Sequence, residues 1–163
     1  MVRLLRATVV ATLAFAVAGA GPALAQDDVE RENLADLREV NVVVEELTAD
    51  AESAGLDRRE IEKVVEGLLE QRDVPLGNSR SAADLYVNID TFRGSTGLYA
   101  YCVEVSIQQL VTIESNQLRT LADVWQLASL GTVGAGNLPG LESIVLQIVD
   151  AFVDDYLEMN PQP

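Results

Sequence analysis

The chain has 163 residues, with 26 acidic against 11 basic side chains, no histidine and a single cysteine, Cys102. Without histidine there is no Ser-His-Asp or Cys-His catalysis and no zinc site built on imidazole, while one cysteine excludes thiolate clusters and an intramolecular disulfide. The acidic excess repels phosphate backbones and anionic lipid surfaces, so neither nucleic acid nor a membrane surface is expected as a partner.

The first residues carry Arg3 and Arg6, an uncharged run follows from Ala7, and Ala23-Leu24-Ala25 closes it. A basic start, an apolar middle and small residues at the end predict a secretory signal peptide over residues 1–25, cleaved before Gln26. The exported chain then holds 9 basic against 26 acidic residues, a net charge of about −17. No transmembrane segment is expected once the signal is removed, and the location is periplasmic or extracellular.

Residues 26–38, with Asp27, Asp28, Glu30 and Glu32, read as a solvated acidic leader. A single domain is expected over residues 39–160. Val42, Val43 and Val44 mark a first strand over residues 40–47, and Ser53-Ala54-Gly55 breaks it. Asp57 and Glu60 have the spacing of a capping box. Ile61, Val64, Val65, Leu68 and Leu69 follow at helical spacing, and Pro75 and Gly77-Asn78 mark the end of that helix.

Leu85, Val87 and Ile89 alternate with Tyr86, Asn88 and Asp90, a strand with one apolar face. Gly94-Ser95-Thr96-Gly97 turns the chain into residues 99–113, where Tyr99, Tyr101, Val103, Val105, Ile107, Val111 and Ile113 share the odd positions. These two runs form an antiparallel hairpin. A fourth strand is expected over residues 119–130. Its apolar residues Leu121, Val124, Trp125, Leu127 and Leu130 do not share one parity, which requires a β-bulge somewhere along it. Gly131, Gly134 and Gly136 read as a flexible loop. Leu141, Ile144, Val145, Ile148, Val149, Phe152, Val153, Tyr156 and Leu157 then repeat at helical spacing until Asn160-Pro161. Asp154, Asp155 and Glu158 crowd the end of this helix, where the dipole disfavours negative charge, so a cation or basic partner is needed unless the cost is tolerated.

The order β-α-β-β-β-α predicts an α+β fold: a two-layer sandwich with a mostly antiparallel four-stranded sheet, two helices on one face and the other face partly open. This order, the Ala83-Asp84-Leu85-Tyr86-Val87 entry to the hairpin and the closing Phe152-Val153-Asp154-Asp155-Tyr156-Leu157 resemble the amino-terminal domain of TolB and envelope modules of the LpoB and CsgG type. The resemblance implies a non-catalytic periplasmic protein that binds other envelope proteins. It supplies no site residues.

Strict alternation sends Tyr86, Asn88, Asp90, Phe92, Cys102, Glu104, Ser106 and Gln108 away from the helices. With Trp125 added as a further aromatic, the candidate partner face is Tyr86, Asn88, Asp90, Phe92, Glu104 and Trp125, and its occupant an envelope protein. Cys102 reads as a small apolar filler. No phosphate loop is present, the only lysine is Lys63 within a helix, and Gly131 to Gly136 match no dinucleotide fingerprint, so neither catalytic residues nor a cofactor or metal is expected. The alternative to an interaction module is a carboxylate-based hydrolase or cation binder, with Asp90 and Glu104 meeting across the hairpin.

Overall fold

A computed structural model describes residues 28–77 and 82–161. The expected signal peptide and the first residues of the leader lie outside the described residues. The elements are α1 (Asp28–Glu32), β1 (Val40–Val44), α2 (Ala49–Ser53), α3 (Arg58–Gln71), β2 (Ala83–Arg93), β3 (Leu98–Thr112), β4 (Arg119–Gly134), a 3₁₀ turn (Ala135–Gly140) and α4 (Leu141–Met159). They form an α+β fold around one open sheet in the order β1-β2-β3-β4. β1 runs parallel to β2 because a helical connection returns the chain to the same end, and the β2-β3-β4 meander is antiparallel.

The period-two pattern decides what is inside. Leu85, Val87, Ile89, Val103, Val105 and Ile107 are buried in a single core together with Ile61, Val65 and Leu69 of α3 and with Val145, Val149 and Phe152 of α4. Burying each such side chain contributes about 1.5–3 kcal/mol. α3 starts where Asp57 accepts hydrogen bonds from the backbone N–H groups of Arg59 and Glu60. It stops at Gln71, before the expected breakers: Asp73 turns left-handed with φ 57°, and Val74 N–H closes back on the Leu69 carbonyl.

The sequence reading needs correction at four places. Within the described residues the leader is mostly exposed but is pinned to the domain rather than free: Leu34 is fully buried, Asn160 Nδ2 donates to the Leu34 carbonyl at 2.8 Å, and Asn33 Nδ2 donates to the Val124 carbonyl at 2.9 Å. β1 ends at Val44, and a short helix, α2, capped by the Thr48 hydroxyl, occupies the stretch before Gly55. β4 runs through Gly131 and Gly134 instead of ending before them. The reason is Tyr101, whose phenol lies where a side chain at its cross-strand partner Gly131 would stand, 2.6 Å from an ideal Cβ. Trp125 belongs to the core and is treated with the site below.

The bulge lies in β4. Ile107 pairs with Trp125 and Gln108 with Asp123, so Val124 is the extra residue. It puts Trp125 and Leu121, of equal parity, on opposite sides of the sheet: Trp125 is buried, whereas Leu121 stands opposite Leu110 and is exposed.

The acidic end of α4 is held by two arginines. Arg72, at the C-cap of α3, donates to Asp150 and, at 2.6 Å, to Asp154; Arg31 lies 3.3 Å from Glu158 and 4.0 Å from Asp155. The cation required by the helix dipole is internal to the protein.

Candidate functional site: the open face of the sheet

Cross-strand register places the face away from the helices in rows. Asp84 stands beside Gln108, Tyr86 beside Ser106, Asn88 beside Glu104, Asp90 beside Cys102 and Phe92 beside Ala100; across β3 the rows continue to Gln126, Ala128, Leu130 and Thr132. Tyr86, Asn88, Asp90, Phe92 and Glu104 are thus brought together as the alternation requires. Trp125 is not among them. It is fully buried against α4, edge-on to Phe152 with ring centroids 5.3 Å apart, and its indole Nε1 donates to Asp155 Oδ2 at 3.0 Å. The bulge at Val124 turns it inward, where a large ring finds both a packing partner and an acceptor for its one polar atom.

The face grades from polar to apolar along the strands. At the β1 end, Asn41 Nδ2 donates to Asp84 Oδ1 at 2.9 Å. The Tyr86 phenol is pushed above its ordinary pKa by its hydrogen bond with Glu45, with burial and the charges of Glu45 and Asp123 adding to the shift. Ser106, between Tyr86 and Gln126, is buried beneath them although it lies on the open side. Toward the hairpin turn the face becomes apolar: Phe92 is 74% exposed, Leu98 48% and Leu130 78%, with Ala100 and Cys102 between. Burial first, then the carboxylates of Glu104 and Asp90, raise the Cys102 pKa. This thiol stays protonated at neutral pH and is a poor nucleophile.

Asp90 and Glu104 are diagonal neighbours on this face. Asp90 accepts from Asn88 Nδ2 at 3.4 Å. A concavity of about 800 Å³ opens at the opposite end of the sheet, where Arg38, Glu39, Asp84, Gln108, Arg119 and Leu121 contribute to its walls, and neither Asp90 nor Glu104 lines it. Among the described residues no group of three or more His, Cys, Asp or Glu side chains is placed to hold a metal ion, and no helix is long and apolar enough to cross a membrane.

Sequence reasoning missed Leu130 and Leu98 as surface residues. The signal for Leu98 was available in its even position on β3, the same parity as Glu104. Leu130 required the register across the bulge.

No protein-family model matches the chain, and no curated protein matches it. Among solved structures it is similar to a minor lipoprotein from Acinetobacter baumannii, at 14% identity and a TM-score of 0.29, over 76% of this chain and 94% of that one.

Proposed function

We propose that the protein is a non-catalytic interaction module of the bacterial cell envelope, exported by its amino-terminal signal, and that the open face of the sheet docks another exported protein. The observation that carries this reading is Phe92. It is an aromatic side chain held 74% exposed at the end of a regular strand, on one face with Asp90, Asn88 and Glu104. Exposing so large a ring gains nothing for folding, whereas an aromatic anchor with polar neighbours is the composition of protein interfaces. The carboxylates of Asp90 and Glu104 suit a partner that brings an apolar pocket with basic residues at its rim.

The test is covalent capture in the living envelope from a photo-crosslinking residue at position 92. A discrete adduct with an exported protein is expected. Asp90→Lys, in the same crosslinking chain, is expected to abolish it by reversing the charge beside the anchor. Phe92→Ala is expected to leave the melting temperature of the purified protein unchanged. No adduct, or an adduct indifferent to Asp90→Lys, overturns the reading; a loss near the 3–5 kcal/mol of a core aromatic in Phe92→Ala would show that the ring supports the fold.

A further inference from the structure

The two edges of the sheet are treated differently by the rest of the chain. On β1, Val40 N–H donates to the Pro75 carbonyl, Gly77 N–H donates to the Val40 carbonyl, and Arg58 donates to the Val44 carbonyl at 3.3 Å, so the outward backbone groups are covered near both ends of the strand. On β4 the outward groups at and just past the bulge are covered too: the Val124 carbonyl accepts from Asn33, and Gln126 N–H donates to Glu30 at 3.3 Å. Outward groups recur at every second residue, so those of Ala128, Leu130 and Thr132 come next. Among the described residues no hydrogen bond reaches them.

A bare edge is usually blunted by charge, proline or a bulge, because it is a template for another strand. Here the sequence does the opposite. No charged residue lies between Asp123 and Glu142, the longest uncharged run after the amino-terminal one. In a chain of net charge about −17, almost any other surface brought against its own copy would juxtapose carboxylates.

We propose that the chain dimerises, antiparallel and edge to edge, by pairing residues 127–133 of β4 with the same residues of a second copy about a two-fold axis at Leu130. The register follows from the outward groups: Leu130 exchanges both hydrogen bonds with its symmetry mate, and Ala128 does so with Thr132. The uncharged segment decides for this occupant: it offers a basic partner strand no carboxylate to pair with, whereas a second copy meets it with no like charges opposed. On the open face the central row becomes Asp90, Cys102, Leu130 and then the same residues in reverse, so the leucines meet at the axis while the carboxylates stay on outer strands. The row beside it sets Thr132 against Ala128 of the other copy, again with no like charges opposed. α1, which covers the edge at Gln126, limits the pairing to this uncharged segment. The dimer carries one continuous eight-stranded sheet and leaves both copies of Phe92 on its open side. It stands independently of the partner face proposed above, because its test needs only the purified protein.

The experiment is sedimentation equilibrium on the protein purified after export, at tens of micromolar, paired with cysteine crosslinking. The parent is expected to sediment as a dimer. Leu130→Lys, at an exposed site, is expected to keep the parent's melting temperature and weaken dimerisation at least about tenfold by opposing two charges at the axis. Paired Cα atoms about 5.5 Å apart are within disulfide reach. Leu130→Cys in a Cys102→Ser background is therefore expected to form an interchain disulfide on oxidation, whereas Leu110→Cys in that background is not. A monomeric parent, a dimer insensitive to Leu130→Lys, or a Leu130→Cys chain that forms no more interchain disulfide than Leu110→Cys overturns the proposal.

Discussion

Asp155 sits where the end of α4 meets the edge of the core, accepting from Trp125 Nε1 and lying 4.0 Å from Arg31. Burial raises its pKa. Arg31 pulls the other way without cancelling the shift, and Glu158 and Asp154 add to the rise. The folded protein therefore holds this proton more tightly than the unfolded chain, whose carboxylate titrates near about 3.9. A group of this kind contributes stability that is complete below the unfolded pKa and is lost as pH rises through the folded pKa. Asp155→Asn keeps an oxygen for the indole N–H and removes the titration. Measured as urea midpoints at pH 7 and pH 4, the parent is expected to gain on the variant as the pH falls. A gap that stays constant, or moves the other way, shows that Arg31 rather than burial governs this carboxylate.

At the scale of elements, α3 and α4 are joined by apolar packing and by one polar clamp, Arg72 on Asp150 and Asp154. Arg72→Ala leaves Asp154, toward the C-terminal end of α4, facing an adverse dipole without its cation, and leaves Asp150, at mid-helix, without its ion-pair partner. The melting temperature is expected to drop by a few degrees, with α-helical circular dichroism retained below the transition; an unchanged temperature would mean that water replaces the clamp at no cost. The sequence spoke most clearly where one period runs uninterrupted. β2, β3 and α4 are predicted from parity or helical spacing alone, and with them the open-face positions of Tyr86, Asn88, Asp90, Phe92 and Glu104. It spoke least where a tertiary contact decides. Gly131 reads as loop until Tyr101 is laid over it, and Trp125 reads as a surface aromatic until the extra residue at Val124 is placed. The acidic start reads as solvated because one buried residue, Leu34, sets no period. α2 and the 3₁₀ turn are too short to show one.

At the scale of the molecule, residues 26–163 set 26 acidic against 9 basic side chains, and two of the basic ones, Arg31 and Arg72, are engaged with α4. Such an excess works against the compact state by self-repulsion, while the arginine pairs work for it over a few ångströms. The two respond to salt with opposite sign. At 0.1 M ionic strength charges farther apart than about 10 Å are largely screened, so salt relieves the long-range repulsion among scattered carboxylates first and weakens the short contacts less. Raising sodium chloride from low to moderate concentration is therefore expected to raise the melting temperature of the parent, followed by differential scanning calorimetry at neutral pH. Arg72→Ala, which adds one unit of negative charge and loses its short contacts, is expected to rise more steeply and narrow its deficit. Edge pairing at residues 127–133 would be favoured by the same screening, so the scan belongs at a concentration low enough to keep the chain monomeric, with Leu130→Lys run beside it. A melting temperature that falls with salt in both chains would mean that ion pairs, not net charge, dominate the electrostatics of this fold.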